Sequence, residues 1–312
     1  MKKRILAAIV AVVFIAAAAC VMLIARPEGS KGILYRVTGD NATAYLLGSI
    51  HIGTSAMHPF GDALQEAMAD SGVFVFESDT VSAVSLARLT ARQTLPEGVT
   101  LKSILGDALY AGITAAYGAL KLSTATLENR RPWAVMNTLA VYSSAAEMGV
   151  RNVRTAISLG VETAVTEFAD THQKQVAYLE TIDEIADTME SFSDALTRYL
   201  LQEEIDVILK RKSSAEQETI SQWPGWWRDG NAEAFRGFYS QSFQSADESL
   251  YREYQEKLVT MRNALMAERL DAMLKTGGTY FVTVGLLHLI REDDSIVSLL
   301  RGKGYTVEII GD

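Results

Sequence analysis

Two segments decide the fold: Ala44-Tyr-Leu-Leu-Gly-Ser-Ile-His51 near the start and Tyr280-Phe-Val-Thr-Val-Gly-Leu-Leu-His288 near the end. Each is an apolar, β-prone run that closes in Gly-x-x-His, and each is followed by a helix-like stretch and then a second strand-like run. The chain has four histidines, and two of them stand in these units. Imidazole is the commonest metal-binding side chain and the one whose ordinary pKa lies near neutrality, so the two units mark where chemistry is to be sought.

Working outward from the first unit, residues 33–37 and 43–50 read as strands with Gly39-Asp40-Asn41 as the turn of a hairpin. Beyond His51 a loop leads to a helix around 62–69. Ser71-Gly72 ends it, and Val73-Phe-Val-Phe76 reads as a buried strand with Glu77 directly behind it. Strand, helix, strand implies a parallel pair joined by a crossover. The far end repeats the plan: strand 279–284, a helix near 295–301 and a strand at 305–310, with Gly304 placed as Gly72 is. Between the ends, residues 81–275 read as mostly helical. Pro132-Trp133 suits a first helical turn, and Gly160-Val-Glu162 leads into further helix. A long stretch opens on the capping box Ser245-x-x-Glu248 and carries apolar Leu250, Tyr254, Leu258, Met261 and Leu265; Gly277-Gly278 stops it. Trp223-Pro-Gly-Trp-Trp227 reads as a rigid aromatic turn packed between helices. The expected fold is therefore α/β, with N- and C-terminal β-α-β units sharing one central sheet and a large helical insertion, about 81–275, between them.

The N-terminus stands apart. Lys2-Lys-Arg4 precedes an uncharged apolar run over residues 5–25 that Arg26 closes. At 1.5 Å per residue such a run reaches roughly the ~30 Å of a bilayer core, and the basic cluster keeps the start in the cytoplasm. Residues 1–26 are expected to be an uncleaved anchor that leaves 27–312, as one domain, facing the periplasm or the cell exterior. A cleaved signal peptide, giving a secreted protein, is the alternative, and Cys20 after Ala17-Ala-Ala19 raises a lipoprotein as a third. Past Arg26 there is no cysteine, which excludes disulfides, thiolate metal sites and a cysteine nucleophile. Residues 1–26 hold four of the 29 basic residues and none of the 38 acids. The remainder thus carries a formal charge of −13, a surface that repels phosphate backbones, and nucleic acid is not an expected partner.

His51, Glu77 and His288 each fall at or just beyond the carboxyl end of an apolar run, the edge of an α/β sheet where ligands bind. Two imidazoles and a carboxylate form a common catalytic metal set with positions left for water and substrate. The glycine three residues before each histidine permits close approach of backbone or ligand and a positive φ. Either histidine alone would as readily bond a neighbouring carbonyl, and Glu77 would as readily cap a turn. A serine hydrolase built on Ser49 beside His51 is compatible with strand geometry, but it lacks a nucleophile turn.

Leu47-Gly-Ser-Ile-His-Ile-Gly53, Glu77-Ser-Asp79, Pro132-Trp133, Leu179-Glu-Thr181, Arg262-Asn263 and Val284-Gly-Leu-Leu-His288 together resemble the TraB/GumN family, which includes pheromone-shutdown proteins and the animal TIKI proteases. The resemblance covers essentially everything after the anchor. It implies a compact α/β fold with both Gly-x-x-His units at one site. By analogy with the TIKI proteins it implies metal-dependent cleavage of a peptide or protein substrate, with His51, His288 and Glu77 on a divalent ion (Mn, Co, Zn or Fe). It also marks Glu77, Arg262 and Asn263 as catalytic candidates. Arg262 is expected to clamp a substrate carboxylate, steady an oxyanion or pair with a helix acid; Asn263 is expected to orient a ligand or cap backbone. The segment reads Met261-Arg262-Asn263 where relatives often place an acid before the arginine, so an ion pair from that position is missing. His58 is read as a loop side chain, His172 as solvated, Glu180 as a helical carboxylate with a weak claim to a role, and Glu308 as a remote candidate ligand. The competing readings are a non-catalytic protein that sequesters a peptide, and an accessory factor in envelope polysaccharide assembly.

Overall fold

The computed structural model describes residues 29–210, 219–241 and 247–310. Its centre is one mixed six-stranded sheet of β1 (Ile33–Thr38), β2 (Ala42–Ser49), β3 (Val73–Phe76), β4 (Gln175–Tyr178), β5 (Gly278–Gly285) and β6 (Thr306–Ile310), in the order β4-β3-β5-β2-β1-β6. The hairpin forms as expected, in register from Ile33 opposite Gly48 to Thr38 opposite Thr43, and Gly39 N–H donates to the Ala42 carbonyl at 2.9 Å. The two ends do share one sheet, but not as two self-contained pairs. β5 inserts between β2 and β3 and runs parallel to both, while β6 crosses to the far edge and pairs antiparallel with β1. The expected parallel pair β2–β3 is thus parallel but not adjacent. The reason lies in β5: Phe281-Val-Thr-Val284 is buried throughout, as suits a strand covered on both faces.

Among the described residues, the middle adds one strand to the mostly helical reading. Gln175-Val-Ala-Tyr178 forms β4 beside β3 at the sheet's edge. Four residues, three of them exposed, carry too little apolar periodicity to be told from a loop. Otherwise the described residues of the insertion are mostly helical, and the helix Pro132–Glu147 opens at its proline. It packs with Leu101–Ala119 and Asp194–Ile208 around a second core that includes Leu101, Ile113, Leu139, Leu201 and Ile205. The sheet's own core centres on Leu34, Leu46, Phe74 and Phe281. Trp227 belongs to it too, while Trp223 and Trp226 pack against Phe235 of the helix Ala232–Gln241, as expected of an aromatic turn between helices. The Trp223 segment is a short helix, Trp223–Arg228, whose Trp227 indole donates 2.7 Å to the carbonyl of Gly48.

The stretch behind Ser245 shows a second departure. Ser245 lies outside the described residues; Asp247 caps the helix Glu248–Gln255 by accepting from Ser249 N–H at 2.8 Å. A π-turn, Glu256–Thr260, then precedes the helix Met261–Lys275. A π-turn inserts one residue, about 100° of rotation, so the apolar face read through Met261 is broken. Met261 is 59 % exposed, and Asn263, Met266, Ala267 and Leu270 face inward instead. Gly277 and Gly278 then turn the chain into β5 with φ of +84° and +102°. Residues 1–26, expected to be an anchor, lie outside the described residues; among those described, no helix is long and apolar enough to cross a membrane.

Candidate functional site

Because β2 and β5 are neighbours in parallel register, the two Gly-x-x-His units meet. Ser49 stands opposite Gly285, and Leu286 N–H donates to the Ser49 carbonyl at 3.0 Å. Both glycines are needed for space; neither has a positive φ. A Cβ on Gly48 would lie 2.5 Å from Leu286 Cδ1, and one on Gly285 would lie 3.1 Å from a carboxylate oxygen of Glu77.

His288 sits on the one-turn helix Leu287–Ile290 and is buried. Its Nδ1 is 2.6 Å from Asn263 Oδ1, while Asn263 Nδ2 donates 2.8 Å to the Asp294 carbonyl. That second bond fixes which end of the amide accepts, so His288 carries its proton on Nδ1 and presents a lone pair at Nε2. Glu77 follows β3 and lies across from that lone pair, its Oε1 3.6 Å from Nε2. Oε1 accepts from Gly285 N–H, and Oε2 lies 3.2 Å from an Nη of Arg262. Arg262 in turn makes a bidentate pair with Glu180 at 3.0 and 2.6 Å. The guanidinium is therefore already engaged by two carboxylates, and neither is the expected helix acid: Glu77 follows β3, and Glu180 lies between β4 and the helix Ile182–Glu190. Asn263 orients His288 rather than a ligand.

His51 is held otherwise. Its Nδ1 lies 2.6 Å from Glu162 Oε1, and the same oxygen accepts from Ser49 Oγ at 2.6 Å. The ring is 72 % exposed and lines a cleft of about 730 Å³. Glu77, Glu162, Val153, Ile157, Val176 and Tyr178 line the same cleft. Ser49 gives its hydroxyl to a carboxylate rather than to an imidazole and is buried, so the serine-hydrolase arrangement is not formed.

The two imidazoles are driven apart in basicity. The Glu162 carboxylate beside its Nδ1 raises His51 to about 9. Burial lowers His288 to about 4, against the pull of Glu77 and helped by Arg262. Burial pushes Glu77 upward, but His288, Arg262, His51 and the Gly285 N–H outweigh it and hold the carboxyl at about 2. Glu180 goes the other way: burial lifts it despite Arg262.

Among the described residues no three histidine, cysteine, aspartate or glutamate side chains are arranged to hold an ion. Two donors nevertheless fit one. His288 Nε2 and Glu77 Oε1 are both acceptors and face each other with no hydrogen between them, an arrangement that a cation completes. Each histidine also has its Nδ1 held by an oxygen, the outer support that metal-binding imidazoles have. His51 would complete the set only through Nε2, and only by giving up the proton that Glu162 stabilises on its ring.

The other candidates fall elsewhere. His58 bonds the Leu159 carbonyl at 3.0 Å in its loop, and His172 caps a helix while stacking on Phe168. Glu308 pairs with Arg36 at 2.7 Å on the exposed surface. Glu162 went unnoticed in the sequence as a site residue. Its one signal is Gly160-Val-Glu162, because a Cβ on Gly160 would lie 2.3 Å from the His51 carbonyl oxygen.

An α/β sheet that brings two Gly-x-x-His units side by side at the carboxyl ends of parallel strands, with an acid from the next strand, defines a class of protein. The family described as TraB/PrgY/gumN matches residues 33–309, and the chain belongs to it. No curated protein and no solved structure matches the chain.

Proposed function

We propose that this member of the TraB/PrgY/gumN family is an exported, membrane-anchored hydrolase that cuts peptides with a divalent ion held by His51, Glu77 and His288. The observation that carries the reading is the shared posture of the histidines: each is gripped at Nδ1, by Glu162 or Asn263, and each keeps Nε2 for another partner. A bound ion of this kind supplies an activated water near neutral pH and polarises a carbonyl. The chain's own residues do the rest. Glu77 stays ionised and is aimed by the Gly285 N–H. Arg262 offsets its charge while being held by Glu180. Burial keeps His288 neutral, the form that binds metal. The cleft beside His51 gives an extended peptide room, with apolar walls from Val153, Ile157 and Val176. Export rests on Lys2-Lys-Arg4 and the apolar run behind it.

The test is calorimetric titration of the full chain with Mn, Co and Zn, beside His51→Ala and His288→Ala, together with cleavage of unstructured peptides with and without chelator. Tight binding by the wild type, weakened roughly tenfold or more in each variant, and chelator-sensitive cleavage are expected. Peptide binding with no turnover under any metal would favour the sequestering protein instead.

A further inference from the structure

Glu162 opens the helix Val161–Thr171, where an acid in the first turn ordinarily does no more than complement the helix dipole. Its carboxylate does something else here: one oxygen meets both His51 Nδ1 and Ser49 Oγ, each at 2.6 Å. The backbone around it is joined to the His51 loop at two points. Val161 N–H donates to the Ile50 carbonyl at 3.1 Å, and Gly53 N–H donates to the Ala156 carbonyl at 2.8 Å. The two chains are pressed together as well. A Cβ on Gly160 would lie 2.3 Å from the His51 carbonyl oxygen, and one on Gly53 would lie 2.1 Å from that of Leu159. Helix start and histidine loop are thus one rigid unit, with the acid and the imidazole facing each other inside it.

We infer that Glu162 is a positioning residue of the site, whose carboxylate fixes the ring of His51 so that Nε2 is the nitrogen offered to the cleft. The role mirrors that of Asn263, which grips His288 at the same ring position with an amide oxygen. The assignment deepens the hydrolase reading and rests on it for its purpose, while its geometry stands without it. What matters at position 162 is then an oxygen acceptor at this distance, whether carboxylate or amide.

That statement can be tested apart from turnover. With only four histidines in the chain, ¹⁵N-histidine labelling of the full protein gives four imidazoles to follow, His51 being identified by its loss in His51→Gln. In the wild type, His51 should show a downfield, exchange-protected Nδ1–H. Glu162→Leu should remove that signal and leave the one from His288. Glu162→Gln, which keeps an acceptor, should restore it. Titrated with Mn²⁺, Glu162→Leu should bind at least roughly tenfold more weakly and Glu162→Gln within about threefold of wild type. Circular dichroism and the thermal midpoint check that Glu162→Leu is folded; if it is not, Glu162→Ala takes its place. An unchanged His51 signal in the acceptor-free variant, or a loss as complete in Glu162→Gln as in Glu162→Leu, would overturn the inference. Absence of Mn²⁺ binding in the wild type would count against the hydrolase reading instead, and the imidazole signals would still decide the role of Glu162.

Discussion

Replacing Arg262 by methionine removes the one strong cation between two carboxylates while keeping much of the side chain's bulk. The three side chains are 11 % exposed for Arg262, 1 % for Glu180 and 16 % for Glu77, so solvent screens the pairs weakly. Taking away one partner of a buried ion pair costs about 3–5 kcal/mol, because a charge is left uncompensated, and here two are. We expect a loss in that range at pH 7.5. The loss carries a pH signature. Glu180 is lifted by burial even with Arg262 beside it, and Arg262→Met lifts it further. A carboxyl group whose folded pKa lies above its unfolded value takes up a proton on folding. Its stability contribution is therefore complete below the unfolded pKa, near 4.5, and is lost as pH rises through the folded value. The variant should accordingly regain stability relative to the wild type as pH falls from 7.5 to 5, at up to about 1.4 kcal/mol per pH unit per group in that window. Urea unfolding at the two pH values, read by circular dichroism, measures it. Arg262→Lys should recover only part of the loss, since a single ammonium does not reproduce the fork across Glu180. A deficit below about 1 kcal/mol at pH 7.5 would contradict the reasoning, which rests on burial of both acids. So would equal deficits at both pH values.

Gly48→Ala should cost roughly 1–3 kcal/mol by chemical denaturation, since its Cβ meets Leu286 Cδ1 at 2.5 Å and strains the junction of the two motifs; a neutral result would show that Leu286 yields freely. Trp227→Phe keeps an aromatic ring in the core but leaves the Gly48 carbonyl without its indole donor, for an expected loss of about 1–3 kcal/mol and a lower thermal midpoint. Acid should destabilise the wild type in two stages. His288, held at about 4 by burial against 6.5 unfolded, loses its contribution as pH falls from 6.5 toward 4, and Glu77, at about 2 against 4.5, loses its own from 4.5 toward 2. Thermal midpoints across that range check this; His288→Gln should flatten the upper stage and narrow the lower one, since the His288 charge helps hold Glu77 down.

The hairpin, the two strand-to-histidine junctions and Glu77 behind β3 were legible because each is local: an apolar run, a glycine and a polar residue at its end. That β5 separates β2 from β3 was not, because strand order is decided by which run is apolar on both faces, and Phe74 and Phe281 are equally so. β4 escaped for the opposite reason, as an edge strand of four mostly exposed residues. The site divides in the same way. His51, Glu77 and His288 are announced by their own neighbours, whereas Glu162 is tied to its function only by a residue more than a hundred positions away. Arg262 and Asn263 are the instructive pair. A regular helix running on from Leu250, Tyr254 and Leu258 would have buried Met261. The π-turn at Glu256–Thr260 spends one residue without advancing the apolar face, and Met261 goes to solvent while Arg262 turns to Glu77 and Glu180 and Asn263 to His288. An added residue in a helix costs hydrogen-bond geometry and persists where something is gained by it. Here the gain is a pair of buried polar groups at consecutive positions, each with a specific partner at the sheet's edge. No amphipathic repeat encodes that placement, because it depends on breaking the repeat.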